Sequence, residues 1–294
     1  MRILLLGANG QVGHELRRAL APLGDVVCTT RNGRVEGGGA CEAADFEQPE
    51  ALGALVGRIA PDIVVNAAAY TAVDRAESEP EAAFRINADA PAALAAACAA
   101  RDALLVHYST DYVFDGQSDR PYREDDPVAP INAYGRSKLA GEEAVRASGA
   151  RHMILRTAWV YADRGHNFMR TILRLAGERQ ELRVVADQWG SPTSAGLVAD
   201  TTAAILARQP ASSDTWHVAA AGGTSWHGFA TAVLARAATL GRIATAPCVV
   251  AIATADYPTP ARRPACSRLD CGRLERDFGI VLPPWQAALD AVLQ

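Results

Sequence analysis

Tyr134 and Lys138 stand four residues apart in Tyr134-Gly135-Arg136-Ser137-Lys138, a spacing that puts a phenol and an ammonium on one face of a helix. A free tyrosine titrates at about 10, too high for easy proton exchange at neutral pH, and a nearby ammonium favours the phenolate. Upstream, Ser109-Thr110-Asp111 closes an apolar, strand-like run from Leu104 to Tyr108. The set offers a phenol that can donate a proton, an ammonium that can tune it, and a hydroxyl that can hold a carbonyl oxygen. Taken alone, Tyr-x-x-x-Lys more often describes two solvent-facing residues on a helix. The preceding chain gives it weight.

That chain begins with Ile3-Leu4-Leu5-Leu6, an apolar run too short for a signal segment and suited to a buried first strand. It runs into Gly7-Ala8-Asn9-Gly10-Gln11-Val12-Gly13, then into Glu15 to Leu20 at helical spacing. Strand, glycine turn and helix form the setting of a dinucleotide fingerprint: the glycines allow backbone N–H groups to approach a pyrophosphate, and the helix N-terminus faces its charge. A second strand, Val26 to Thr29, ends at Thr30-Arg31, where an NAD-selective chain would place an acid for the ribose 2′-hydroxyl. A hydroxyl and a guanidinium suit a 2′-phosphate better, so NADPH is expected ahead of NADH, although Arg31 also fits an exposed loop. Asp45-Phe46 could meet an adenine, or Asp45 could cap the helix expected over 49–58.

The strand Pro61 to Asn66 ends in Ala67-Ala68-Ala69, whose small side chains would let a cofactor lie against the backbone. Further elements follow: a helix from Glu79 to Arg101 containing Asn87, a polar loop over 115–130, and a strand His152 to Arg156 leading to Trp159. Beyond Tyr161 the alternation loosens, with a helix over 167–178, a strand over 183–186, a polar turn over 187–193, a helix over 196–208 and a strand over 215–218. The expected fold is α/β: a Rossmann-type, doubly wound parallel sheet over residues 1–160, with 192–220 returning to it. Residues 161–191 and 221–294 would mainly form a smaller, interleaved substrate-binding part.

The bulk numbers agree with a globular enzyme. The 294 residues are 49% hydrophobic and 21% charged, and the net charge of -4 without a long basic run argues against a nucleic-acid partner. Six cysteines without paired spacing indicate neither a zinc site nor a disulfide framework. Ala90 to Ala100, the longest mainly apolar stretch, contains Pro91 and cannot span a bilayer, so a soluble, cytoplasmic chain is expected.

Together these stretches resemble the extended short-chain dehydrogenase/reductases and, within them, the dTDP-4-dehydrorhamnose reductase family. The resemblance rests on the glycine turn, Asn66 to Ala69 with Thr71-Ala72-Val73-Asp74, Ser109 to Phe114, Tyr134 to Lys138, Arg156 to Tyr161, and Tyr257-Pro258-Thr259-Pro260 with Arg263-Pro264. It implies NADPH-dependent reduction of the C4 ketone of a dTDP-linked deoxyhexose by a monomer or homodimer. Thr110, Tyr134 and Lys138 would be catalytic, and Thr110, Asp111, Tyr134 and Trp159 would touch the substrate. Gly7, Gly10, Gln11, Val12, Gly13, Thr30, Arg31, Asp45, Phe46, Ala67, Ala68, Ala69, Thr71, Tyr108, Tyr134 and Lys138 would hold the cofactor.

Two departures stand out. Cys266 replaces an asparagine usual in the family, and the Ala195-Gly196 step lacks an acid that helps some members bind a bridging metal, so no metal is expected. Three rivals remain. A 4,6-dehydratase or epimerase could share the fold, but Thr110-Asp111 is followed by Tyr112 rather than a second carboxylate. A non-catalytic regulatory subunit would not need Thr110, Tyr134 and Lys138 together. Ser225-Trp226-His227 lacks the setting of a hydrolase nucleophile and better suits a helix start.

Overall fold

Ile3, Leu4, Leu5 and Leu6 are all fully buried, as a strand must be when helices cover both faces of its sheet. In the computed structural model, which describes residues 1–209 and 212–294, this strand lies inside a seven-stranded parallel sheet. The strands are β1 (Arg2–Leu6), β2 (Asp25–Thr30), β3 (Cys41–Ala43), β4 (Ile63–Asn66), β5 (Leu104–Thr110), β6 (His152–Thr157) and β7 (Asp214–His217). Their order across the sheet is β7-β6-β5-β4-β1-β2-β3. The chain winds one way through β1, β2 and β3 and the other way from β4 onward. A crevice therefore opens beyond the carboxyl ends of β1 and β4, where ligands of such sheets bind.

Alternate residues of β1 feed two cores. Ile3 and Leu5 join Leu16 and Leu20 of the helix Gln11–Leu20 and Val198 and Leu206 of the helix Ala195–Ala207. Leu4 and Leu6 join Leu52 and Val56 of the helix Pro49–Ile59, and Leu94 of the helix Ala90–Ala99. Gly272–Phe278 lies in the stretch expected mainly in the smaller part, yet Leu274 and Phe278 pack against the first core. The helix expected from Glu79 to Arg101 is broken by a π-turn at Arg85–Asp89. That extra residue in the turn brings Asn87 beneath the loop after β4.

A third core lies beside the sheet, where Tyr161, Met169, Ile172, Phe229, Val233 and Leu289 pack together. Around it, Glu181–Val185 pairs in parallel with Cys248–Ile252, and Trp189–Gly190 pairs antiparallel with Thr224–Ser225. Among the described residues no helix is long and apolar enough to cross a membrane.

Candidate active site

The turn after β1 is built by backbone contact. Gly7 has φ +80° and its Cα faces the β4 exit so closely that a Cβ would stand 2.8 Å from the Ala68 nitrogen. A Cβ on Gly13 would overlap the Gly7 carbonyl oxygen, so the helix can start this close to the strand only with glycine there. Gly10 caps the helix Gln11–Leu20 with no side-chain hydrogen bond, and its first turn carries no acid. Its leading N–H groups and positive dipole end are left for an anion, an arrangement that fits a pyrophosphate. Val12 is half-buried against the core, while the Gln11 side-chain oxygen Oε1 accepts from the Asn167 amide at 2.8 Å.

Farther along this edge the residues divide. The Thr30 hydroxyl accepts from the Arg34 backbone N–H at 3.0 Å, and so closes its own turn rather than facing outward as expected of a 2′-phosphate contact. Arg31 and Arg34 are exposed, and neither guanidinium has a hydrogen-bond or ion-pair partner among the described residues. Asp45 accepts from the Glu47 N–H at 3.0 Å, and Gln48, not Asp45, caps the next helix; Phe46 is buried beside it. Ala67 and Ala68 line the crevice half-buried, and Ala69 and Thr71 are exposed at its mouth.

On the other wall, β5 delivers Tyr108 to Thr110 to the crevice. The Tyr108 side chain departs from the expected cofactor contact: its phenol shares a 2.7 Å hydrogen bond with Thr202 on the face of the sheet. Its backbone oxygen is what reaches the site, accepting from Lys138 Nζ at 2.7 Å. The Thr110 hydroxyl donates to Asp111 Oδ1 at 3.0 Å and accepts from the Tyr112 N–H at 3.2 Å. Asp111 is buried, its Oδ2 without a partner among the described residues, and burial pushes its carboxyl up to about 6 against the opposing Ser267 and Thr110 hydroxyls.

Tyr134 and Lys138 lie on the helix Ala133–Ala147, whose start is tied down three ways. Asn132 accepts from the Gly135 N–H at 2.8 Å and donates to the Arg262 carbonyl at 2.9 Å, and Glu77 accepts from the Ala133 N–H at 2.7 Å. In mid-helix Gly141 backs onto the Asn87 carbonyl, too close for any side chain. The Asn87 amide donates to Ser137 and to the Tyr70 carbonyl, each at 3.0 Å, fastening the helix to the loop after β4. Tyr112 packs edge-on against Tyr134 with ring centroids 5.6 Å apart.

Burial pushes the Tyr134 phenol up to about 12, opposed by the Thr110 hydroxyl and reinforced by the Asp111 carboxylate. Burial brings Lys138 down to about 8, with Glu142 opposing. The expected tuning of Tyr134 by Lys138 is thus not how the two stand here. The ammonium is turned to the Tyr108 carbonyl, and burial governs the phenol. Beneath them, Arg156 grips Glu142 through two hydrogen bonds, of 2.8 and 2.7 Å, with both side chains buried.

Trp159 follows two residues after Thr157, which pairs with Thr110 across β5 and β6, and so it enters beside Thr110 and Asp111. Its φ of +47° lies in the left-handed region, a strain of about 1–3 kcal/mol for a residue with a side chain. The indole stacks on that of Trp226, with centroids 3.4 Å apart and planes parallel.

The chain matches the family model described as the RmlD substrate binding domain over residues 1–294. It is 50% identical to the dTDP-4-dehydrorhamnose reductase of Burkholderia thailandensis over 298 residues, covering 98% of this chain and 97% of that one. The chain belongs to the dTDP-4-dehydrorhamnose reductase family. The Shigella flexneri relative is 47% identical over 296 residues, covering 100% of this chain and 97% of the other. The crystal structure of the Bacillus anthracis dTDP-4-dehydrorhamnose reductase in complex with NADP superposes with a TM-score of 0.89 at 33% identity, covering 99% and 98% of the two chains.

Several residues around this site were missed in the sequence. Arg34 lies in a glycine-rich stretch that reads as loop, Trp226 reads as a helix start, and Glu77 and Asn132 act only as caps. For Asn132, an asparagine three residues before a glycine N–H at a helix start is a legible capping signal. For Trp226 no local signal exists, because its partner Trp159 lies far away in the chain.

Proposed function

We propose that this chain reduces the C4 ketone of dTDP-4-dehydro-β-L-rhamnose to dTDP-L-rhamnose with NADPH. One observation carries the reading: Thr110, Asp111, Tyr134 and Lys138 converge at the carboxyl end of β5, next to a helix start without a side-chain cap and a glycine turn that suit a dinucleotide. Bound NADPH would supply the hydride. The glycine turn would take its pyrophosphate, Arg31 and Arg34 its 2′-phosphate, Phe46 its adenine, and Lys138 its nicotinamide ribose.

Tyr134 would give its proton to the C4 oxygen as the oxygen gains charge. A phenol held near 12 is fully protonated at neutral pH, hence loaded to act as an acid. Thr110 would turn its hydroxyl from Asp111 toward the same oxygen and steady it. Asp111, with Oδ2 free of partners among the described residues, would accept from a sugar hydroxyl. Lys138, drawn from the Tyr108 carbonyl toward the ribose and phenol, would favour the phenolate left after proton transfer. In this reading residues 1–160, with 192–220 returning to them, would form the dinucleotide-binding part, and 161–191 with 221–294 would mainly form the substrate-binding part. Such a reaction draws on NADPH and a sugar nucleotide, which supports a cytoplasmic setting.

Dehydration is disfavoured because the residue after Asp111 is Tyr112, whose ring packs on Tyr134 and brings no second carboxylate. The deciding experiment incubates the protein with dTDP-4-keto-6-deoxyglucose, the 3,5-epimerase and NADPH, followed by product analysis. The reading expects NADPH consumption and dTDP-L-rhamnose, and absence of that product with all components present refutes it.

A further inference from the structure

The stack between Trp159 and Trp226 has a build of its own. Trp159 follows the sheet strand β6 and keeps a left-handed backbone at φ +47° that an indole-bearing residue does not adopt unaided. Two surfaces confine it, and both come from one small ribbon, in which Trp189–Gly190 pairs antiparallel with Thr224–Ser225. On the first strand, Gly190 lies against the fused-ring side of the Trp159 indole, and a Cβ there would overlap the ring. Directly after the second, Trp226 lays its indole parallel on that of Trp159 at 3.4 Å between centroids.

Trp226 is itself fixed. It is the first residue of the helix Trp226–Thr239, which Ser225 caps by accepting from the Gly228 N–H at 3.1 Å, and Phe168 packs on its ring at 4.6 Å. The ribbon and helix thus form a rigid socket for a side chain carried by another core. Trp159 remains half-buried, and it leaves the sheet two residues after Thr157, the partner of Thr110 across β5 and β6.

We propose that Trp226 is a positioning residue for substrate binding: its stack on Trp159, against Gly190, aims the exposed part of the Trp159 indole at the apolar side of the deoxyhexose. The inference rests on the reading of Trp159 as a substrate contact. It assigns sugar-nucleotide affinity to the ribbon, while the proton and hydride steps stay with residues the ribbon does not touch. Loss of the stack therefore weakens substrate binding and leaves turnover at saturation and cofactor binding in place.

The test compares Trp226→Leu, Trp226→Phe, Gly190→Ala and Trp159→Leu. For each, kcat and KM are measured for dTDP-4-dehydro-β-L-rhamnose, along with NADPH affinity, thermal midpoint and the near-ultraviolet circular dichroism couplet of the stacked indoles. Trp226→Leu abolishes the couplet and raises KM about tenfold, the scale of a modest misplacement of a binding group. Its kcat and NADPH affinity stay near those of the parent, and Trp226→Phe, which restores a flat ring, recovers most of the KM. Gly190→Ala, pushing on the same indole, also raises KM.

An unchanged KM in Trp226→Leu with the couplet lost overturns the proposal. Should Trp226→Leu fail to fold, Trp226→Phe and Gly190→Ala decide: parental KM in both overturns it, and a raised KM in Gly190→Ala with a folded, NADPH-binding protein sustains it. Trp159→Leu separates the two levels. If it raises KM while the Trp226 and Gly190 variants do not, only the positioning role falls. If it leaves KM unchanged, the substrate contact falls, and the positioning role with it.

Discussion

Replacing Tyr134 by Phe removes one oxygen atom and keeps the ring that packs edge-on against Tyr112 at 5.6 Å. The helix start stays fastened through Asn132 and Glu77, neither of which touches the phenol. Fold and cofactor binding should therefore persist. The phenol stands near 12, so at pH 7 only about one molecule in 10⁵ carries a phenolate, and the acid needed for reduction is present throughout. Removing a positioned general acid costs about 10²–10⁴ in rate, equivalent to roughly 3–5 kcal/mol of barrier. NADPH oxidation with the epimerised keto-sugar, followed by absorbance, reads the loss in kcat, and fluorescence titration reads NADPH affinity. The same argument fixes a pH signature. Reduction by the parent should be flat on account of Tyr134 between pH 6 and 9, whereas the reverse oxidation, which needs phenolate, should rise with pH. Near-parental kcat in Tyr134→Phe, or a reverse rate indifferent to pH, would show that another group moves the proton.

Four further outcomes follow from the same geometry. Lys138→Met should lower both turnover and NADPH affinity, and in the parent NADPH should bind more weakly above pH 8, where the buried ammonium near 8 loses its proton; titrations at pH 7 and 9 check this. Arg31→Ala with Arg34→Ala should raise KM for NADPH while leaving KM for NADH nearly unchanged, as initial rates with each cofactor will show. Gly13→Ala should abolish NADPH binding or destabilise the fold outright, because the added carbon meets the Gly7 carbonyl; binding calorimetry and the thermal midpoint distinguish the two. Glu142→Gln should cost about 3–5 kcal/mol in urea unfolding, because it leaves Arg156 buried without its counter-charge. Burial alone would raise the Glu142 carboxyl, yet Arg156 and Arg146 hold it at about 2. With the folded value depressed, its contribution is present above pH 4.5 and lost as pH falls toward 2, so the parent should lose more stability than the Gln variant over that range.

The path from sequence to fold was clear wherever a segment declares itself locally. Runs such as Ile3 to Leu6 and Ile63 to Val65 are apolar throughout because both faces of a central parallel strand are covered, and that demand is visible residue by residue. Gly7 and Gly13 were legible for the same reason: their lack of a side chain is the feature the turn requires. Cys41–Ala43 was hidden, since a three-residue edge strand after a glycine-rich stretch has no periodicity to show. The π-turn at Arg85–Asp89 was hidden inside an alanine-rich helix pattern, because its cause is the fit of Asn87 between Tyr70 and Ser137. Thr30 and Tyr108 carried plausible side chains whose hydrogen bonds turned out to be claimed by Arg34 and Thr202. Residue type and spacing locate a side chain on its element; they do not say which neighbour takes its hydrogen bond.

The segment carrying Ala261, Arg262 and Arg263 gives this cleft an order of assembly. Ala261 donates its N–H to Asp74 at 3.2 Å, Arg263 pairs with the same carboxylate at 2.9 Å, and the Arg262 carbonyl receives the Asn132 amide. These contacts join positions 187, 189 and 130 residues apart, so their later partner leaves the ribosome long after the earlier one. The glycine turn and β1 to β5, by contrast, have all emerged before the helix that carries Tyr134 is made, and domains begin to fold as they appear. A nascent chain thus has its dinucleotide edge early and closes the wall over Tyr134 late. A chain cut short before residue 261 would lack the contacts that close that wall and also Leu274, which packs into the first core, so a ribosome that stalls there leaves both the cleft and the core behind the glycine turn unfinished.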